Sequence, residues 1–222
     1  MELFEEGRVR PNASVQKPLQ QAEIITYVRD GTLSYEDSLG RRGVIGTGEF
    51  QRMTAGPDIR YSQMNASPVE WAHVFQVVLR PAAAGLSPGH EQKHFGAAER
   101  RGRLRLVVSP DAGHGSLRCH QDARVYSGLF ARGQHVVHEL SPERSVWLHI
   151  VDGQASIGEV VVSTGDGVGI LGEHACSFTT RTQTEVLLVE LAAQPMRPAA
   201  LSGCEGRGVP TGTLPAVPRS HA

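Results

Sequence analysis

The sequence predicts an all-β fold built as two successive barrels. Three observations predict it: period-two alternation of apolar and polar residues, glycines spaced between the alternating runs, and an internal repeat. In the first half, residues 24–29, 32–36, 49–54, 58–64 and 71–79 each alternate as a half-buried strand does, and no helical period is sustained. Gly31, Gly40, Gly48 and Gly56 punctuate these runs at turn positions. Strand-like runs resume at residues 104–109 and continue to about residue 191. The repeat links the halves. Tyr27-Val28-Arg29-Asp30-Gly31 corresponds to His149-Ile150-Val151-Asp152-Gly153, and Val44-Ile45-Gly46-Thr47-Gly48-Glu49 to Val161-Val162-Ser163-Thr164-Gly165-Asp166.

Between the halves, residues 81–103 change character, from a Pro-Ala-Ala-Ala-Gly run to a charged stretch ending Glu-Arg-Arg-Gly-Arg. The expected organisation is an N-terminal barrel over 1–80, a connector with a short helical turn over 81–103, a C-terminal barrel over 104–193, and a disordered tail over 194–222 rich in Pro and Gly.

Composition narrows the function classes. A 222-residue chain with 40% hydrophobic and 20% charged residues buries a substantial core. Its formal net charge of −1 carries no electrostatic footprint for nucleic acid or an anionic membrane. Cys119, Cys176 and Cys204 are odd in number and widely spaced, which is no disulfide framework and no Cys-x-x-Cys site. The opening Met-Glu-Leu-Phe-Glu-Glu lacks an apolar signal core, and no apolar run spans a bilayer. A cytoplasmic location is expected.

Several segments together resemble the pirin family, whose bacterial members include quercetin-dioxygenase-type bicupins. In the first half these are Glu23-Ile24-Ile25-Thr26-Tyr27-Val28, Tyr35-Glu36-Asp37-Ser38-Leu39-Gly40, Met53-Thr54-Ala55-Gly56 and His73-Val74-Phe75-Gln76. In the second half they are Leu106-Val107-Val108-Ser109-Pro110-Asp111, Gly115-Ser116-Leu117, His120-Gln121-Asp122 and Glu185-Val186-Leu187-Leu188-Val189-Glu190. The likeness covers roughly residues 5–192. It implies two cupin barrels (double-stranded β-helix, jelly-roll) with one divalent metal, typically iron, in the N-terminal barrel. It also implies that this chain begins close to the metal motif, so that either its start is misassigned or the first barrel is cut short there and leaves an open edge strand.

The family holds its metal with a His-Pro-His-x-x-x-Glu motif and a later His-x-Glu. Aligned on Glu23, the first pair falls on Lys17 and Leu19, with Pro18 between them; aligned on Met53-Thr54-Ala55-Gly56, the second falls on Tyr61 and Gln63. All four ligands are replaced. Leucine cannot ligate, lysine carries a proton at its ordinary pKa, tyrosine would have to lose one near pH 10, and a glutamine amide is a weak donor for iron. In the second half the corresponding positions are Glu139, Ser141 and Phe178, and the nearby His135 and His138 are spaced as His-x-x-His. No metal or other cofactor is therefore expected, although the family would imply iron or another divalent ion.

A competing motif is His90-Glu91-Gln92-Lys93-His94, which spells the zinc-protease signature. That chemistry needs both imidazoles on one face of a buried helix and a third ligand downstream. Pro88-Gly89 directly before it and the Gly, Ala and charged flanks oppose such a helix. Gly46-Thr47-Gly48 lacks the lysine of a phosphate loop, no Gly-x-Ser-x-Gly elbow occurs, and adjacent Cys119-His120 is no nucleophile–base pair.

The sequence thus points to a non-catalytic small-molecule-binding or regulatory protein of this family. Lys17, Leu19, Tyr61 and Gln63 are its pocket candidates and Glu23 stands behind them; no residue is assigned as catalytic or as a metal ligand. Lys17 pointing inward would hold an anionic ligand; pointing outward it would leave the pocket filled. The expected partners are a small anionic or aromatic ligand, or another protein. The alternative is a metal-dependent quercetin 2,3-dioxygenase-type oxidoreductase with a non-standard ligand set.

Removal of residues 194–222 is expected to leave the melting temperature nearly unchanged, because the segment has little apolar surface to bury. A fall of more than a few degrees in a thermal melt would show that the tail packs on a barrel.

Overall fold

The computed structural model describes residues 1, 3–17, 21–56, 59–141 and 143–192. Leu19, Cys204 and the tail over 194–222 lie outside the described residues, as does the side chain of Lys17. Among the described residues no helix is long and apolar enough to cross a membrane.

Nineteen strands form four sheets among the described residues, two per half. In the first half, one sheet runs in the order β1 (Leu3–Val9), β8 (Ala72–Leu79), β3 (Ala22–Asp30), β6 (Glu49–Ala55), β9 (Gly89–His94). Its partner sheet runs β2 (Ser14–Lys17), β7 (Tyr61–Met64), β4 (Thr32–Asp37), β5 (Arg42–Gly46). In the second half, six strands run β11 (Leu117–Arg118), β10 (Leu104–Ser109), β12 (Ala123–Phe130), β19 (Thr184–Ala192), β14 (Arg144–Asp152), β17 (Gly167–Leu171). Four more run β13 (His135–Glu139), β18 (Ala175–Thr180), β15 (Gln154–Ile157), β16 (Val160–Ser163). The all-β, two-barrel expectation is met.

The sequence repeat recurs atom by atom. Gly31 and Gly153 both adopt left-handed backbone (φ 79° and 93°), and each ends a strand with a register shift just before it, at Val28/Asp30 and Ile150/Asp152. A Cβ at Gly31 would lie 2.7 Å from the Trp71 carbonyl oxygen, and at Gly153 2.2 Å from that of Gln183, so neither site admits a side chain. Gly48 and Gly165 then donate to the Val28 and Ile150 carbonyls at 2.8 Å each. Glu49 and Asp166 close the two turns by accepting from the Gly46 and Ser163 amides.

Residues 81–103 are not a plain connector. They carry β9, which pairs antiparallel with β6, and the four-residue helix α1 (Ala97–Arg100). Gly89 to His94 lies at a sheet edge, with no residue of it fully buried, so it lacks the alternation that marks other strands. β1, at the opposite edge of the same sheet and antiparallel to β8, likewise has a mixed polar sequence without clean alternation.

Alternation along the strands builds three cores. Ile24, Val28, Leu33, Ile45, Met53 and Val74 fill the first barrel, and Phe130, Leu148, Ile150, Cys176, Phe178 and Leu188 the second. The opposite faces of the two large sheets meet in the third. There Ile25, Tyr27, Phe50, Phe75, Val77, Leu79 and Phe95 pack against Val107, Val125, Val151, Leu187 and Val189. Tyr27 stacks on Phe50 with ring centroids 4.3 Å apart. Each large side chain so buried stabilises the fold by roughly 1.5–3 kcal/mol.

Inside the second barrel, Glu190 accepts from Arg144 Nε (2.7 Å) and Arg124 Nη1 (3.1 Å) and lies 2.8 Å from His138 Nε2. Burial opposes its charge, but the hydrogen bonds and charges of His138 and Arg144 hold its carboxyl down to about 2. A depressed carboxyl pKa gives stability that is present above the unfolded value of 4.5 and is lost as pH falls toward 2. Glu190→Gln is therefore expected to lower stability by about 2–3 kcal/mol at pH 7, and the gap to wild type should close between pH 4.5 and 2. Urea unfolding across that range checks it; a pH-independent gap would show that the carboxylate charge contributes nothing.

Candidate functional site

The first barrel contains one polar layer within its apolar core. Thr26 on β3 lies directly opposite Gln51 on β6 and Gln76 on β8, so these three residues form one rung of the large sheet. Their even or odd places in the alternation point them inward, beside Ile24, Met53 and Val74. From the facing sheet, β7 brings Tyr61 and Gln63, two of the four candidate positions, onto the same layer. Lys17 pairs with Tyr61 across β2 and β7, which places its backbone at the layer's edge.

These side chains form a directed relay. Gln76 Nε2 donates to Gln63 Oε1 (2.8 Å), Gln63 Nε2 donates to the Tyr61 hydroxyl (2.8 Å), and that hydroxyl donates to Gln51 Oε1 (2.8 Å). Gln76 Nε2 also donates to Thr26 Oγ1 at 3.0 Å. Tyr61, Gln63, Gln51, Gln76 and Thr26 are all buried. Gln51 Nε2 makes no close hydrogen bond among the described residues, although the Gln51 side chain reaches the Tyr35 phenol. A cavity of about 450 Å³ opens beside Gln63 and Tyr35, with Arg42, Glu36 and Met64 on its wall.

The second barrel has the same rung with different chemistry. Leu148 lies opposite Val168 and Leu188 at the equivalent place, and all three join the apolar core. Phe178, at the position of a third ligand, is fully buried there, while Glu139 and Ser141 are exposed. A polar layer is therefore not needed to close a barrel of this kind.

The donors of the relay do not suit a first-row divalent ion. Burial pushes the Tyr61 phenol well above its ordinary pKa, despite the Gln63 hydrogen bond that lowers it, so a phenolate ligand is disfavoured. The amide oxygens of Gln63 and Gln51 are already taken, and the buried carboxylate opposite Tyr61, that of Asp37, is held by the Arg41 guanidinium and by the Leu39 and Arg41 amides. Among the described residues no group of three or more His, Cys, Asp or Glu is placed to hold a metal.

Glu23 points the other way, out of the barrel and toward the second one. Completely buried, it accepts from the His120 backbone amide (2.6 Å), pairs with His120 Nδ1 (2.7 Å) and accepts from the Thr54 hydroxyl (3.1 Å). It therefore does not stand behind Tyr61 and Gln63, because odd-numbered residues of β3 face the second barrel and even-numbered ones the interior. The His90–His94 segment is strand β9, not helix, which separates its two exposed histidines by roughly 13 Å. Glu91 is held by Arg52 Nη2 at 2.7 Å and by the Arg118 amide. The zinc-protease motif thus has no structural counterpart. Thr26, Gln51, Gln76 and His120 form no motif along the chain that marks these roles. The available signal was a polar residue at an inward place in β3, β6 and β8.

Residues 3–79 match the pirin family, and residues 106–191 match the quercetinase C-terminal cupin domain. The chain is similar to quercetin 2,3-dioxygenase of Escherichia coli (strain K12), 40% identical over 174 residues that cover 78% of this chain and 74% of the relative. Among solved structures it is similar to YhhW from Escherichia coli, with a TM-score of 0.79, 35% identity, and 86% and 81% of the two chains covered. It is equally similar to the bacterial pirin YhhW in complex with nickel(II), with a TM-score of 0.78, 35% identity and 86% and 82% covered.

Tyr61→Phe deletes the hydroxyl that joins Gln63 to Gln51 and leaves two buried amides short of a partner. A loss of about 1–3 kcal/mol in urea unfolding is expected. A change within about 0.5 kcal/mol would show that the hydroxyl is not part of a closed relay.

Proposed function

The chain belongs to the pirin family, and on that premise we propose that it is a pirin-like bicupin without the family's metal site, serving as a non-catalytic small-molecule-binding or regulatory interaction protein. The observation that carries this reading is the neutral relay from Gln76 through Gln63 and Tyr61 to Gln51, where the family keeps imidazoles and a carboxylate. Three hydrogen bonds of ordinary length satisfy these groups with one another, so a metal would have to break bonds that are already made. The ligand of this reading is small and anionic or aromatic, and its candidate seat is the cavity on the outer face of the small sheet beside Gln63 and Tyr35. Arg42 on its wall offers the ligand a charge.

A second reading is favoured by the relatives. The 40% identity to a quercetin 2,3-dioxygenase and the nickel(II) complex of a 35% identical pirin support a metal-dependent dioxygenase with a non-standard ligand set. The two readings differ in what the purified protein contains and in what it does to quercetin.

Untagged protein is expected to hold well under one equivalent of iron, nickel, copper or zinc by elemental analysis and to leave quercetin intact. Stoichiometric metal with quercetin cleavage would establish the second reading instead. The variant Lys17→His, Leu19→His, Tyr61→His, Gln63→Glu is expected to bind nickel(II) or iron(II) in calorimetry, because it restores the ligand types of the family at the positions the resemblance matches. A folded variant with no gain in affinity would refute the positional match.

A further inference from the structure

A second cleft lies outside the barrel interior, at the junction of the two halves. It has a volume of about 610 Å³. One wall is apolar, made by Ala82, Ala83, Leu86 and Pro110; the other carries Arg118 and His120. The segment after β8 is clamped onto the second half where it forms the first wall. The Ala82 amide donates to the His120 carbonyl (2.9 Å), and Gln121 Nε2 donates to the Arg80 carbonyl (2.6 Å). The cleft is thus bounded by fixed backbone on both sides.

Its polar wall is organised from beneath. Glu23, with no solvent exposure, takes both the backbone amide and Nδ1 of His120. That double contact fixes the ring with its proton on Nδ1, so that Nε2 of the part-exposed imidazole accepts in the neutral ring and donates only in the imidazolium. Arg118 is exposed, and its guanidinium has no carboxylate partner among the described residues. The two carboxylates that also line the cleft are engaged. Asp122 pairs with Arg144 Nη1 at 2.7 Å, and Asp111 accepts from the Ser109 hydroxyl and the Gly113 amide. Cys119 at the base is no nucleophile, since burial pushes its thiol up to about 11.

We propose that this junction cleft binds a small organic monocarboxylate, with the carboxylate on Arg118 and His120 and the carbon body against Ala82, Ala83, Leu86 and Pro110. The unpaired guanidinium supplies the charge and a planar two-point contact. The imidazolium form of His120, with its Nδ1–H on Glu23, supplies a second N–H from Nε2, and the apolar wall selects an organic acid over an inorganic anion. Because Glu23 faces away from the polar layer, the cleft is independent of the barrel interior, and either assignment stands if the other fails.

The test uses benzoate as the probe, titrated into the isotope-labelled full chain and followed by NMR. Saturable shifts at residues 82–86 and 118–122 are expected, with a dissociation constant of roughly a millimolar, in keeping with so small a ligand. Arg118→Gln, an exposed substitution that leaves the core alone, should weaken binding at least tenfold. Ala83→Trp, also exposed, should fill the cleft and abolish it. Benzyl alcohol and inorganic phosphate, which carry the ring or the charge alone, should each bind at least tenfold more weakly than benzoate. No saturable benzoate shift at these residues, equal affinity in Arg118→Gln, or phosphate binding as tightly as benzoate would each overturn the proposal.

Discussion

Two sheet faces, each too apolar to meet water, are pressed together between the barrels, and three carboxylates set how they meet. Glu185 takes Tyr27 (2.5 Å), Arg100 (2.9 Å) and Arg29 (3.2 Å). Glu23 takes His120 at one side, and Glu6 lies 2.8 Å from His73 and 3.3 Å from His149 at another. Aromatic and aliphatic packing supplies the stabilisation but tolerates sliding; a buried charge with several fixed donors does not, because breaking it would strand the charge at a cost of about 3–5 kcal/mol. The junction is therefore one fixed interface. It decides which residues of β3 look outward, and hence which are left to look into the barrel.

That division explains the interior. With Glu23, Ile25, Tyr27 and Arg29 committed to the junction, the inward set of β3 is Ile24, Thr26 and Val28. Thr26 is the odd one, and its two rung neighbours are glutamines. Equivalent leucines and a valine in the second barrel show that an aliphatic rung closes this architecture equally well. Retaining five buried polar side chains costs stability unless they are paired. The relay lowers that cost by pairing the groups with one another, and it does so with neutral amides and a phenol, a donor set that recognises hydrogen-bonding oxygens better than a divalent ion.

Much of the fold was legible because it rests on local signals. Gly31 and Gly153 mark strand ends that only glycine fits, and the alternation through 24–29 and 49–54 states which residues are buried. Edge strands were not legible: β9 and β1 see solvent along much of their length and lose the period-two mark. At the site, Tyr61 and Gln63 were reached through the resemblance. Thr26, Gln51 and Gln76 were not, since their relation is across strands rather than along the chain. Glu23 was assigned to the wrong side of its strand, which parity relative to Thr26 would have settled. The flanks of His90 and His94 already opposed a helix, and the segment is a strand, in which a four-residue spacing holds the two histidines far apart.

The central claim is that the barrel interior is closed by hydrogen bonds between neutral side chains rather than organised around a cation. Side-chain amide NMR signals of Gln51, Gln63 and Gln76, recorded during a titration with paramagnetic manganese(II) or nickel(II), test it most directly. The account predicts that these signals are slow to exchange with water and stay sharp when the metal is added. Their selective broadening at substoichiometric metal, with the rest of the spectrum unchanged, would contradict it.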